Sequence, residues 1–289
     1  MFDIILIDFS WIYNKYYYVA KTRPIIEGHG QKENQVQVYD MLMRLFSLIE
    51  RSHPSSKVLL VLDSPLSTTT NFTLYKEYKQ NRNKKEKEEV YKSFKTIVGK
   101  LSQELNKKFT FVRALGYEAD QVIASLAEKY QERYQVLIFT GDKDLLQLSY
   151  YSNISISDKY EKGMFLTKSD AEIFGKFKNS KGEDFTRISN NKRDILKYRV
   201  LKGDPSDNLS PVFPRIKDTE IVSIIKNYWI DEEELTEPRI NDILDDLRSD
   251  DIKLAQKLES NKDIWLRNYK VMNLYGLKDL PVKKVVKHG

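Results

Sequence analysis

VLIFTGDKD, residues 136–144, is the stretch on which the fold turns. Its apolar run, Val136 to Thr140, reads as a buried strand bounded by a glycine. Beyond Gly141, Asp142 and Asp144 leave the carboxyl end of that strand. The arrangement recurs upstream, where IILID ends on Asp8 and VLLVLD, from Val58, ends on Asp63. Phe109 to Val112 and Ile154 to Ser157 are two further short strand candidates.

Helical periods separate these runs. Val38, Met41, Leu42, Leu45, Phe46 and Ile49 recur at helical spacing within Val36 to Ile49, with Asn34 as the expected N-cap. Val122, Ile123, Leu126 and Ala127 share one face of Ala119 to Tyr130. Short β-rich runs alternating with helices predict an α/β fold with a mainly parallel central sheet. Beyond about residue 186 helical patterns take over, across Lys192 to Lys202, Asp218 to Tyr228, Arg239 to Arg248 and Ile252 to Tyr269. The loop-like NSKGED, Asn179 to Asp184, suggests a division into an α/β core over 1–185 and a smaller all-helical lobe over 186–289. The basic terminus PVKKVVKHG is expected to fray.

Composition excludes several chemistries. The 289 residues contain no cysteine, which removes disulfides, thiolate zinc sites and cysteine nucleophiles together. Three histidines, His29, His53 and His288, lack ligand spacing and read as solvated surface residues. The start MFDIILIDFSWIY has no basic segment and is broken by Asp3 and Asp8, so it reads as a strand and not a signal peptide. No apolar stretch approaches the roughly 20 residues that span a bilayer. A soluble, cytoplasmic protein is expected, in the host cytoplasm if a phage encodes it, with no membrane partner. The net charge of +6 suggests an anionic partner such as nucleic acid.

In open α/β sheets, sites form outside the carboxyl ends of the strands, which gives Asp8, Asp63, Asp142 and Asp144 one rim. Glu118 and Asp120, in GYEADQ, stand where a loop becomes a helix. Two residues apart on a helix, they would point about 200° apart, so Glu118 is expected just before the first turn. Asp204 and Asp207, in LKGDPSDN, are spaced i, i+3 and share a side if that turn is helical. Taken singly, each acid is equally well a cap, a turn former or a surface charge, as Asp3, Asp40 and the run Asp231 to Glu234 are. Together they would repel and raise one another's pKa unless cations intervene. Oxygen-only ligands select Mg²⁺ or Mn²⁺ over zinc, and two such ions about 4 Å apart suit phosphodiester hydrolysis.

Between Asp63 and the third strand lies a basic connection. From Tyr75 to Lys100 it carries nine basic residues against four acids, nearly the whole excess of the chain. Tyr75, Tyr78 and Tyr91 interleave with them and offer faces for unpaired bases. The plainer reading is an exposed charged helix with pairs such as Glu88 and Lys92.

IDFSWIYN, VLLVLDS, YKQNR, GYEADQ, TGDKDLLQL and LKGDPSDN, in that order, resemble the flap endonuclease and 5′-3′ exonuclease superfamily, most of all the T-even phage ribonuclease H branch of phage 5′ nucleases. The resemblance runs from about residue 4 to 215. It implies a PIN-like nuclease core over 1–185, a helical arch over 65–100, and a helix-hairpin-helix-like lobe with a C-terminal tail over 186–289. It implies two Mg²⁺ ions, with Mn²⁺ as a substitute, and 5′ to 3′ exonuclease and flap endonuclease action on duplex DNA and RNA·DNA hybrids, removing RNA primers or 5′ flaps in phage DNA replication. Asp8, Asp63, Glu118 and Asp120 match the first metal cluster, Asp144, Asp204 and Asp207 the second, and Asp142 lies between them. Lys79 and Arg82 match arch residues that polarise the scissile phosphate, so Lys79, Arg82 and Asp142 are the expected catalytic residues. Tyr78 is expected to stack on a base, and Tyr75, Lys76, Lys84, Lys85, Arg215 and Lys217 to join Tyr78, Lys79 and Arg82 in contacting nucleic acid. DNA and RNA·DNA with 5′ ends or flaps are the expected partners of a monomer. A single-strand-binding protein or sliding clamp is the candidate protein partner.

Three departures stand out. Gln121 replaces an aspartate usual in the family, a change expected to act one shell away from the metal. NLSPVFPRIK, after Asp207, has two prolines and no glycine where a glycine-rich hairpin is common, which puts potassium binding there in doubt. The final 70 residues carry no assignable motif. Two other classes compete: a structure-specific DNA-binding protein with a degenerate metal site, and a small-molecule phosphohydrolase with Asp8 as nucleophile. All eight acids speak against the first, and Asp8-Phe9-Ser10 lacks the second aspartate the other requires.

Overall fold

The computed structural model describes residues 2–22, 31–65, 69–81, 84–174, 191–230 and 233–285, the side chains of 31–34, 84–87, 171 and 174 excepted. The chain begins β1 (Ile4–Asp8), α1 (Phe9–Thr22), α2 (Gln31–Ser52), β2 (Lys57–Val61), α3 (Thr70–Leu74) and α4 (Lys84–Glu104). It continues β3 (Phe109–Arg113), α5 (Ala119–Tyr130), β4 (Val136–Phe139), a 3₁₀ helix (Asp144–Tyr150), β5 (Ile154–Glu161) and β6 (Met164–Thr167). There follow α6 (Asp170–Phe174), α7 (Asp194–Lys202), a 3₁₀ turn (Pro205–Asp207), α8 (Asp218–Ser223), α9 (Glu237–Asp250), α10 (Ile252–Glu259), α11 (Lys262–Met272) and β7 (Lys283–Lys284).

Two compact units result, and neither is continuous in sequence. The first is an α/β unit built on a seven-stranded sheet in the order β6-β5-β4-β1-β2-β3-β7. Pairings β1-β2, β2-β3, β1-β4 and β4-β5 are parallel. The edges β6 and β7 run antiparallel to their neighbours. All five residues of β1 are buried, as expected of a central parallel strand covered on both faces. Phe9 of α1 packs edge-on against Phe111 of β3, with ring centroids 5.2 Å apart. From α4, Phe94 meets Phe9 and Tyr13, while Ile97 and Leu101 are buried in the same core. The other face of α4 is a solvated charged surface with Glu88 and Lys92 paired at 3.0 Å, so the plain reading of that helix holds for the part beyond residue 87.

This topology creates the site. The chain leaves β1 for β2 and β3 on one side, then returns to place β4 and β5 on the other. The strand order therefore reverses beside β1, where the carboxyl ends of β1, β2 and β4 open a crevice. In register, Asp8 lies opposite Val61 and Ile7 opposite Phe139, so the three ends are level.

The second unit is helical and comprises residues 168–274 with residues 70–81. Trp229 and Trp265 are its largest buried side chains, their rings 5.5 Å apart. Lys197 is buried too, paired with Asp194 at 3.1 Å and donating to the Trp229 carbonyl at 2.7 Å. A π-helical turn, Ile224–Tyr228, continues α8.

Several expectations change. The loop expected to divide the chain, Asn179 to Asp184, lies outside the described residues; by compactness the helical unit takes in residues 70–81 from the basic connection together with 168–274, and Tyr275 onward belongs to the sheet unit. Within the terminus expected to fray, Lys283–Lys284 form β7 on the edge of β3 and the Val285 N–H donates to the Phe111 carbonyl at 2.8 Å, while residues 286–289 lie outside the described residues. Ile252 to Tyr269 is two helices, with Ser260 and Asn261 at the break. Helix α2 begins at Gln31, so Asn34 stands in its first turn and is not the cap. His53 is not a solvated residue. It packs between Tyr160 and Phe165, and burial pushes its imidazole down from the usual range. His29 and His288 lie outside the described residues.

Candidate metal and nucleic-acid site

Asp8 is the buried centre of the sheet unit's crevice. Its Oδ1 accepts from the Trp11 N–H at 3.0 Å and its Oδ2 from the Thr140 hydroxyl at 2.9 Å. Burial first, and then the carboxylates of Asp63 and Asp142, push the Asp8 carboxyl up to about 7 against those hydrogen bonds. The three acids at the ends of β1, β2 and β4 are thus electrostatic neighbours.

Each is held by local structure. Asp63 Oδ1 accepts from the Ala119 N–H at 2.7 Å, which ties the end of β2 to the amino terminus of α5, where the helix dipole favours an anion. Glu118 is the N-cap of α5, just before its first turn as the spacing required, and Asp120 lies within that turn. Gln121 explains its own departure: its Oε1 accepts from the Glu118 N–H at 3.1 Å, so it holds the backbone of a neighbouring acid. Past β4, the Asp142 N–H donates to Thr140 Oγ1 at 3.0 Å, and the Asp144 N–H donates to Asp142 Oδ1 at 2.9 Å. Gly141 makes room for Trp11, since a Cβ there would come within 2.6 Å of indole Cε2. Trp11 in turn stands edge-on to Phe139, with the Lys15 ammonium 4.9 Å above its ring.

A carboxylate set that raises one member this far suits a divalent cation, whose charge turns the repulsion into attraction. With only oxygen donors present, a hard ion such as Mg²⁺ or Mn²⁺ fits better than a thiophilic one.

In the helical unit Asp204 caps the 3₁₀ turn that contains Asp207, so the i, i+3 pair is on a helical turn. Asp204 Oδ1 accepts from the Ser206 N–H and hydroxyl, and its Oδ2 from Arg199 Nη2 at 2.6 Å. Burial opposes ionisation there, yet the Ser206 hydrogen bonds and the Arg199 guanidinium hold its carboxyl below the usual range. Asp207 Oδ2 accepts from the Tyr78 hydroxyl at 3.1 Å and lies 3.8 Å from Lys79 Nζ. Gly203, at φ 72°, leaves no room for a Cβ against the Leu209 carbonyl. After it, the proline-bearing segment folds back on α7, where the Val212 N–H reaches the Leu201 carbonyl and Asn268 Nδ2 donates to the Val200 and Ser210 carbonyls.

The basic segment is placed differently from the expectation. Tyr78 is 2% exposed with its hydroxyl on Asp207, so it offers no face to a base. Tyr75 has the Arg267 guanidinium 4.4 Å over its ring. Lys76, Arg215 and Lys217 are exposed. Arg82 lies outside the described residues, as do the side chains of Lys84 and Lys85. Thr140, Trp11 and Arg199 went unsuspected. The first two stand inside quoted motifs and carried a signal, whereas Arg199, five residues before its partner, carried none.

Comparison with known proteins bears on the family and the fold. The family model described as "5'-3' exonuclease, N-terminal resolvase-like domain" matches residues 3–178. A 5'-3' exonuclease of Buchnera aphidicola subsp. Schizaphis graminum is 26% identical over 227 residues, 78% of this chain and 70% of that protein. One from Aquifex aeolicus is 29% identical over 225 residues, 76% and 67% of the two chains. Among solved structures, one described as divalent metal ions (zinc) bound to T5 5'-exonuclease superposes with a TM-score of 0.66 at 15% identity, covering 94% of this chain and 89% of that one. At that identity the likeness speaks for the fold.

Proposed function

Since the chain belongs to the 5'-3' exonuclease family and is a 5′ nuclease, we propose that it hydrolyses phosphodiesters at 5′ ends and flaps of duplex DNA and RNA·DNA hybrids, with two Mg²⁺ ions. Removal of RNA primers or flaps during replication of a phage genome is the proposed role. The observation that carries this reading is Asp8, whose carboxyl is lifted to about 7 by burial and by Asp63 and Asp142 at a topological switch point. Groups tuned this far cluster at functional sites.

In this reading Asp8, Asp63, Glu118, Asp120, Asp142 and Asp144 are the ligands of the sheet unit, and Asp204 and Asp207 those of the helical unit. Bound Mg²⁺ supplies Lewis acidity at the phosphate and an acidified water. The protein's own part is to hold the acids still. Thr140 and Trp11 fix both oxygens of Asp8, the start of α5 fixes Asp63, and Arg199 and Ser206 fix Asp204. Lys79 and Arg82 contact the scissile phosphate and stabilise its developing charge.

A panel of 5′-labelled flap, nicked and RNA·DNA substrates, with and without Mg²⁺, tests this. Release of short 5′ products from flaps and hybrids only in Mg²⁺ is expected. Tight flap binding in Mg²⁺ without cleavage would refute it.

A further inference from the structure

Residues 77–81 and 205–208 interlock within the helical unit. The Lys79 N–H donates to the Asp207 carbonyl at 3.0 Å, Asn81 Nδ2 to the Pro205 carbonyl at 2.7 Å, and Asn208 Nδ2 to the Glu77 carbonyl at 2.8 Å. Donors come from both segments, so each is fixed by the other. Each segment also carries one residue in the left-handed region, Lys79 at φ 57° and Asn208 at φ 62°. Asparagine tolerates that region, because its short amide bonds locally, whereas a lysine there is strained and persists only where its surroundings impose it. Beside its own N–H bond to the Asp207 carbonyl, the surroundings here include the two asparagines. Asn208 holds the carbonyl two residues before Lys79, and Asn81 holds the chain two residues after it. The Lys79 ammonium then comes to rest 4.6 Å from the Tyr78 ring centre and 3.8 Å from Asp207.

We infer that Asn81 and Asn208 are positioning residues that hold the backbone of Lys79 on the Asp204–Asp207 turn, and so set where its ammonium meets the scissile phosphate. This rests on the reading in which Lys79 contacts that phosphate. Neither asparagine touches substrate in this role. They act through Lys79, whose backbone they hold from either side.

Asn81→Ala removes an exposed side chain, and Asn208→Gly removes the amide while keeping the left-handed backbone available. Each is made alone and in a Lys79→Ala background. Single-turnover cleavage of a 5′ flap in Mg²⁺, flap affinity in Ca²⁺, and hydrogen exchange of the peptide spanning residues 77–81 without metal are measured, with melting as the folding control. Each asparagine variant is expected to cleave about tenfold more slowly, as a misplaced catalytic group does, with affinity within about twofold and faster exchange at Lys79. In the Lys79→Ala background the same variants should add no further slowing. Equal slowing in both backgrounds would overturn the inference, because the asparagines would then act elsewhere. Unchanged exchange would overturn the interlock without any reference to cleavage. A wild-type rate in Lys79→Ala alone would refute the phosphate-contact reading, and the positioning role with it, while faster exchange would still mark the interlock as real.

Discussion

Thr140 Oγ1 lies 2.9 Å from Asp8 Oδ2 and donates its proton to it. The same oxygen accepts the Asp142 N–H at 3.0 Å, so one hydroxyl links the acid that ends β1 to the acid in the loop after β4. Thr140→Val keeps the shape and removes both bonds. It should weaken Mg²⁺ binding by roughly 10- to 100-fold, as loss of a ligand's supporting partner does, and Thr140→Ser should restore it. The Mg²⁺ dependence of single-turnover cleavage reads the effect.

Gly141→Ala drives a methyl group into the Trp11 indole, which is already wedged between Phe139 and Lys15. Such overpacking costs about 1–3 kcal/mol, and it displaces the loop that carries Asp142. Thermal melting should show the loss. Adding Trp11→Leu should recover part of the stability, because the methyl group then has space.

The raised Asp8 pKa makes metal-free stability depend on pH. Folding keeps the proton on Asp8 up to about 7, whereas the unfolded chain releases it near 3.8. The unfolded state therefore binds fewer protons between those values, and stability falls as pH rises through that window. About three pKa units correspond to about 4 kcal/mol. Urea unfolding of wild type and Asp8→Asn in EDTA from pH 4 to 8 should show this slope in the wild type alone, and Mg²⁺ should return the lost stability above pH 7.

Much of this site was legible because strand ends are legible. Asp8, Asp142 and Asp144 follow short apolar runs, and a parallel sheet puts the carboxyl ends of such runs on one rim whatever the connections do. Glu118 was placed by geometry alone, since two acids two residues apart cannot both face a rim from inside a helix. What stayed hidden depends on contacts distant in sequence. Tyr78 sits in a lysine-rich run that looks solvated, yet it is buried with its hydroxyl on Asp207, 129 residues away. Residues 70–81 belong to the helical unit, tied to it in part by Asn81 on the Pro205 carbonyl and Asn208 on the Glu77 carbonyl, pairings no local pattern announces. Helix α1 was missed because it follows β1 with no turn between them, so its buried face of Phe9, Ile12, Tyr13 and Ala20 reads as a continuation of the apolar strand.

Arg199→Met removes the guanidinium from Asp204 and should cost about 1–3 kcal/mol near neutral pH, less than a fully buried pair because both groups keep some exposure. Asp204 is depressed in the folded state, so its contribution is present above the unfolded value of 3.8 and disappears as pH falls below it. The difference in stability between wild type and Arg199→Met should therefore shrink below about pH 4. Chemical denaturation across that range measures it.

In the proposed function, carboxylate-held divalent ions drive hydrolysis at a 5′ end. Single-turnover cleavage of a 5′-labelled flap by wild type in Mg²⁺, by wild type in EDTA, and by Asp142→Asn in Mg²⁺ tests it most directly. Short 5′ products are expected in the first reaction alone, whereas cleavage at the wild-type rate in EDTA would rule out metal-driven hydrolysis.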